Sequence, residues 1–267
     1  NAWRGVERRL VYRACSRDLS TWSDPVLVMA PDEADDEQVV REGGQHAQFY
    51  NMSVFRAGEH FLGLVTRFRF AGSFGTKEKG RSRHDGPIDV QLAISRDGRA
   101  WSRCEDRSSI IPNGPYPYDV GCILGVANGP VVVNDEWWLY YTAITGTHGA
   151  PLTGKHITIA LAMWRVDGFV SLDAGEAEGI VETVPLALSG RRLTVNADIA
   201  GTLRVAVMDA AGRPLAGYGC NDCFVLTGDS VRHAVRWNVH DRLPDQAQEK
   251  LVFRMVKTRL YSFSVGI

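Results

Sequence analysis

Eight residues of this chain are written twice. Residues 16–23 read SRDLSTWS and residues 95–102 read SRDGRAWS, so Ser-Arg-Asp, three variable residues and Trp-Ser recur about 80 residues apart. A repeat built on a rare tryptophan points to a recurring structural unit, and the flanking residues say which. Before the second copy, residues 88–94 (IDVQLAI) are apolar at alternate places, as a half-buried strand requires. Residues 9–15 (RLVYRAC) give a looser version before the first. A third stretch, residues 156–169 (HITIALAMWRVDGF), repeats strand, Asp, Gly and aromatic. Each reads as a strand, a tight turn anchored by Asp18, Asp97 or Asp167, and an aromatic opening the next strand. The carboxylate accepts turn N–H groups, Gly98 or Gly168 supplies a positive φ, and Trp22 or Trp101 packs on the neighbouring sheet.

A second element recurs upstream of the last two copies. Residues 52–65 and 129–141 each read as strand, turn, strand, followed by a loop and the next strand. The unit is thus about four strands long, and tandem four-stranded sheets are the blades of a β-propeller. The chain offers the tail of one blade to about residue 24, a blade over residues 48–104 and another over 119–169. Propellers close with about four to eight blades, so an N-terminally incomplete set is expected. The start, Asn1-Ala2-Trp3-Arg4 with no Met and no leader, reads as a processed product or fragment. Secretion or a periplasmic location is compatible with a leader already removed, and the compartment stays open.

From residue 170 short alternating strands with frequent turn signals suggest a β-sandwich. The expected fold is therefore all-β without a helix. Residues 1–169 would form a partial five-bladed propeller and residues 170–267 a C-terminal sandwich. Lys plus Arg number 30 against 31 Asp plus Glu, so no basic stripe suits nucleic acid. No apolar run approaches the roughly 18 residues of a membrane helix. Five cysteines are scattered, and the C-x-x-C at Cys220 and Cys223 lacks a second ligand pair, so buried thiols are expected rather than a metal or redox centre. No cofactor is expected. The acidic run at residues 32–37 (DEADDE) reads as a solvated loop, without the glycine-centred spacing of a calcium loop.

Several stretches carry a resemblance: FYNMSVF at residues 49–55, DGPIDVQLAISRDGRAW at 85–101, GPVVVNDEWWLYY at 129–141, DGFVSLDAGEAEG at 167–179 and GDSVRHAVRW at 228–237. With these the chain resembles bacterial glycoside hydrolase family 32 N-terminal-like and family 43-like proteins along nearly all its length. The resemblance implies five blades with a sandwich behind them and a sugar site in the funnel. Acids from innermost strands would converge there. Glycoside hydrolysis uses two carboxylates, one protonated and one ionised.

Innermost strands are expected to start near residues 48 and 119. Asp119, after a Gly-Pro-Tyr-Pro loop, is the first catalytic candidate, with a turn-capping role as its structural alternative. Gln48 occupies the matching place in the other blade, where the resemblance implies an acid, and an amide can neither protonate a leaving group nor activate water. Glu42 or His46 would substitute from the loop, and Asp85, beside His84, would reach the rim. Asp89 lies within a strand and suits a backbone or arginine partner as well as a sugar. Tyr50, Asn51, Tyr116 and His148 complete the expected contacts to sugar rings and hydroxyls. The partner is thus a carbohydrate, cleaved in the complete protein, or bound by a noncatalytic or scaffold propeller.

Overall fold

The computed structural model describes residues 2–74 and 81–266, which are nearly all-β. They fall into two compact units, Asn1–Val133 with Trp137–Met163, and Asn134–Glu136 with Trp164–Ile267. No helix among the described residues is long and apolar enough to cross a membrane.

The first unit opens with two short antiparallel pairs, β1 (Ala2–Trp3) with β2 (Val6–Glu7) and β3 (Val11–Arg13) with β4 (Val26–Met29). The first octet turns between β3 and β4. Its Asp18 carboxylate accepts from the N–H groups of Thr21 and Ser20 at 2.7 and 2.9 Å. These donors, helped by the Ser16 hydroxyl, bring its pKa down to about 2. Asp97 repeats the arrangement with Arg99 and Ala100 N–H at 2.8 and 2.9 Å, and Gly98 sits at φ +68°. The two tryptophans differ. Trp101 packs with Met29, Phe49 and Val65, whereas Trp22 is 56% exposed, because its turn closes a two-stranded pair rather than a wide sheet. In the third turn Asp167, not Gly168, takes the left-handed backbone (φ 58°), and its carboxylate accepts from the Ser262 hydroxyl at 2.9 Å.

The expected loop at DEADDE is instead a helix, α1 (Glu33–Arg41), so the helix-free reading is corrected here. Asp32 is its N-cap and forms a capping box with Asp35, while acids in the first turn complement the helix dipole. Arginines from elsewhere neutralise the run. Arg103 grips the fully buried Asp35 at 2.6 Å through both nitrogens, and Arg8 holds Asp36 at 2.6 and 2.9 Å.

An antiparallel meander follows. β5 (His46–Ala57) pairs β6 (His60–Phe70), a small pair β7 (Gly72–Ser73) and β8 (His84–Asp85) branches off, and β6 pairs β9 (Ile88–Ser95). β10 (Ser102–Arg103) and β11 (Ser109–Ile111) pair the far side of β9. In a second meander, β12 (Cys122–Val126) and β13 (Val131–Val133) pair β14 (Glu136–Ile144), which also pairs β15 (Ile157–Arg165). The meanders fall on the two complete repeats and merge in one nine-stranded sheet. Their seam is a single parallel pairing, Cys122 with Ile88. Side chains reinforce it, among them Asn51, whose Nδ2 donates to the Leu124 carbonyl at 3.0 Å, and Ser53, whose Oγ donates to that of Val126 at 2.7 Å.

In the second unit β16 (Leu172–Ala174), β17 (Gly179–Glu182) and β18 (Leu186–Ser189) each pair one long strand, β21 (Asp245–Gly266). β19 (Arg192–Met208) runs beside β21 and pairs β20 (Leu226–Ala234) on its other side. Segments that read as separate strands are continuous because bulges, not turns, interrupt them: the register shifts between Ile199 and Thr202. At Gly201 a Cβ would lie 2.4 Å from the Val256 carbonyl oxygen, so the bulge needs glycine. Odd-numbered positions of β19 on both sides of it, Val195 and Ile199 then Leu203 and Val207, join one core with Phe253 and Trp237. The strands thus form one six-stranded sheet.

Cys223 is buried in that core, where its thiol accepts from Val205 N–H and burial raises its pKa. Glu249 is also buried, its two carboxylate oxygens have no partner among the described residues, and burial raises its pKa above 4.5. A folded pKa raised in this way costs stability once the pH exceeds the unfolded value. Replacing Glu249 with Met is therefore expected to stabilise the second unit by about 1–3 kcal/mol at pH 7. Chemical denaturation at several pH values checks this, since the gain shrinks as the pH falls towards 4.5.

Candidate functional site

The period-2 alternation of β5 gives its start two different faces. Ala47 and Phe49 are fully buried on one side, and Phe49 joins the core with Met29 and Val65. His46 and Gln48 point the other way, opposite Phe70 and Phe68 of β6. There they line a cavity of about 530 Å³ together with Glu7, Arg8, Arg9, Gln45, Phe70 and His84.

Gln48, His46 and Arg9 hold one another on this wall. Arg9 Nη1 donates to Gln48 Oε1 at 2.8 Å, and its guanidinium lies 4.7 Å from the Tyr50 ring centroid and 5.5 Å from that of Phe68. Such cation–π contacts orient the fork without neutralising it. The Gln48 amide nitrogen lies 3.2 Å from His46 Nε2. An amide nitrogen only donates, so His46 Nε2 is the unprotonated acceptor. Burial, then the Arg8 charge, lowers the pKa of His46, which agrees with that tautomer. The His46 ring stacks on Phe70 at 4.5 Å, and His84 lies 5.5 Å from Phe70 with its Nδ1 2.8 Å from the Ser73 hydroxyl.

His148 closes this cluster. Its Nδ1 lies 3.0 Å from the His84 carbonyl, which can only accept, so Nδ1 carries the proton. In the neutral ring Nε2 then accepts from the Tyr50 hydroxyl at 3.2 Å. Burial holds the pKa of His148 below its usual value.

Of the residues singled out in the sequence, His46, Gln48, Tyr50 and His148 meet here, with His46 and Gln48 on the cavity wall and His46 opening β5 rather than lying in the loop before it. The carboxylates have other partners. Arg67 grips Asp89 at 2.6 and 3.0 Å and approaches Glu42 to 3.1 Å, while Arg69 reaches Glu42 at 3.3 Å and Asp89 at 3.4 Å. Asp119 is 2% exposed and accepts from the Tyr141 hydroxyl at 2.9 Å, and burial together with this carboxylate raises the Tyr141 pKa. Its second oxygen, Oδ1, is buried without a partner among the described residues. Asp85 accepts from Gly86 and Gly149 N–H, both at 2.8 Å. Burial alone would raise its pKa, but the Thr147 side chain and these amides outweigh that and lower it. Asn51 belongs to the seam between the meanders, and Tyr116 is exposed, stacked on Tyr118 at 5.2 Å.

The sequence reading missed Arg9 and Phe70. Arg9 lies outside any described strand, and its partners come from Gln48, Tyr50 and Phe68. The strand alternation of residues 68–70 was the available signal for Phe70.

No protein-family model and no curated protein matches the chain. A solved structure of an N-acetylgalactosamine deacetylase from F. plautii, in complex with blood group B trisaccharide, is similar at 19% identity and a TM-score of 0.40. The likeness covers 60% of this chain and 42% of that one. At that TM-score it assigns no residue here. No family match supports the resemblance to glycoside hydrolase families 32 and 43, which rests on the quoted motifs alone.

Two outcomes are expected. Asp89→Asn leaves Arg67 buried without its bidentate partner and is expected to destabilise the first unit by about 3–5 kcal/mol in urea denaturation. The lowered pKa values of His46 and His148 mean that the unfolded chain binds more protons below about pH 6.5. The Tm of the first unit is thus expected to rise from pH 5 to 7 and then level off, with a flatter rise in His148→Asn, read by circular dichroism.

Proposed function

We propose that this chain binds a carbohydrate in the cavity at the start of β5. The carrying observation is the wall itself: the Gln48 amide, the His46 imidazole and the Arg9 guanidinium converge beside the Phe70 ring. Sugar sites need this combination, because amides and imidazoles exchange hydrogen bonds with hydroxyls while aromatic carbon covers the apolar ring face. In this reading the two meanders are blades of a propeller and the octets are their outer turns. The repeat spacing and the two successive antiparallel meanders support that architecture. The sheet of the second unit, with its single bulged core, fills the place of the C-terminal sandwich.

Binding is favoured over hydrolysis by the state of the acids. Glu42 and Asp89 share Arg67 and Arg69, and Asp85 is held ionised by backbone amides. Carboxylates neutralised in this way are poor proton donors to a leaving group. Glu7 is the carboxylate among the residues lining the cavity. The hydrolytic reading, with Asp119, Asp85 and Glu42 as its acids, is favoured by one observation, the buried and unpartnered Asp119 Oδ1.

Calorimetry against a panel of oligosaccharides is expected to find a ligand whose affinity falls about three- to tenfold in Gln48→Ala, the loss of about one hydrogen bond. Cleavage of fructosides, arabinosides or galactosides by the wild type, abolished by Asp119→Asn, would instead establish the hydrolytic reading.

A further inference from the structure

Most of the buried and half-buried arginines of the first unit have a carboxylate partner, and Arg9, which faces the cavity, departs from that pattern. Arg8 is matched by Asp36, Arg67 and Arg69 by Asp89 and Glu42, and Arg103 and Arg107 by Asp35 and Asp32. Among the described residues, Arg9 has no carboxylate within 4.0 Å. It is half-buried, and its contacts among the described residues are neutral: the Gln48 side-chain oxygen and the faces of Tyr50 and Phe68. Gln48 occupies Nη1, so Nε and Nη2 keep a side-on pair of donors. That pair matches the two oxygens of a carboxylate or a sulfate ester.

The surroundings favour an anion over a neutral hydroxyl at this point. A guanidinium withdrawn from bulk water, with no internal counter-charge, gains from a bound anion that restores its pairing. Gln48 and the two ring faces fix the fork before the ligand arrives, so little side-chain freedom is lost on binding. Glu7, the acid of the lining, is exposed and lies beyond ion-pair distance of Arg9.

We propose that the saccharide bound here is acidic and that Arg9 grips its anionic group. This rests on the carbohydrate reading above and narrows its ligand class. A sugar carboxylate and a sugar sulfate ester share the required chemistry, so both belong in the test.

The experiment is calorimetric titration of the full chain with three matched oligosaccharides: a hexuronic acid oligomer, its neutral hexose counterpart and a sulfated hexose oligomer. One acidic ligand is expected to bind at least about tenfold more tightly than the neutral one, the usual scale of a charge-assisted pair. The uronate and sulfate arms then identify the group. That preference, read as the ratio of acidic to neutral affinity, is expected to shrink to within about twofold in Arg9→Gln and to survive in part in Arg9→Lys, which keeps the charge but loses the fork. Raising the salt concentration is expected to weaken the acidic ligand and leave the neutral one unchanged. Equal affinity for acidic and neutral ligands in the wild type would overturn the acidic class while leaving the carbohydrate reading intact, even where Arg9→Gln fails to fold. A preference that persists in a folded Arg9→Gln would overturn the assignment to Arg9. Binding of none of the three, nor of any member of a wider sugar panel, would remove the carbohydrate reading and this inference with it.

Discussion

The carboxylate of Asp35 is the fixed point of the first unit. It is fully buried, and two arginines from beyond β9, Arg103 and Arg107, close on it at 2.6 and 3.2 Å. A buried ion pair returns little net stability, yet removing either partner leaves a charge in low dielectric at a cost of about 3–5 kcal/mol. The helix therefore cannot drift from β10. One residue along, Asp36 takes Arg8 and the Ala47 amide together, and Arg8 also donates to the Ala47 carbonyl. Helix, N-terminal segment and the start of β5 are thereby locked, which sets Arg9 beside Gln48. The cavity wall is a consequence of ion pairs on its far side.

What could be read from the sequence was what depends on neighbours along the chain. The octet turns are local: Asp18 and Asp97 find their donors two and three residues on, so their role was visible without a fold. DEADDE looked solvated because six acidic or small residues need distant cations to be anything else. Those cations arrive from 68 and 72 residues downstream. Trp22 and Trp101 have the same local sequence, and only the sheet beside Trp101 separates their fates. The long strands of the second unit were broken up in the reading because Gly201 looks like a turn, whereas the close Val256 carbonyl makes it a bulge.

The candidate site divides along the same line. Residue types were legible and their partners were not. Asp89, Glu42 and Asp119 are the carboxylates a sugar hydrolase would want, and the sequence offers them in reasonable places. Arg67, Arg69 and Tyr141 decide what those carboxylates can do, and each is brought in by strand register. A carboxylate's chemistry belongs to its nearest cation as much as to itself. In the proposed reading the binding role therefore passes from the acids to Arg9.

The seam between the meanders has a mechanical meaning. Within each meander neighbouring strands share continuous backbone ladders, but across the seam the ladder is one bridge and side chains carry the rest: Asn51 and Ser53 on β12, and Asp85 and Tyr50 on the loop that follows β14. Tension applied there would peel one meander from the other like a page from a binding, with each page still whole. Amide exchange at Ile88, whose N–H donates to the Gly121 carbonyl across the seam, would report the first opening, well before the interior of β6 is reached.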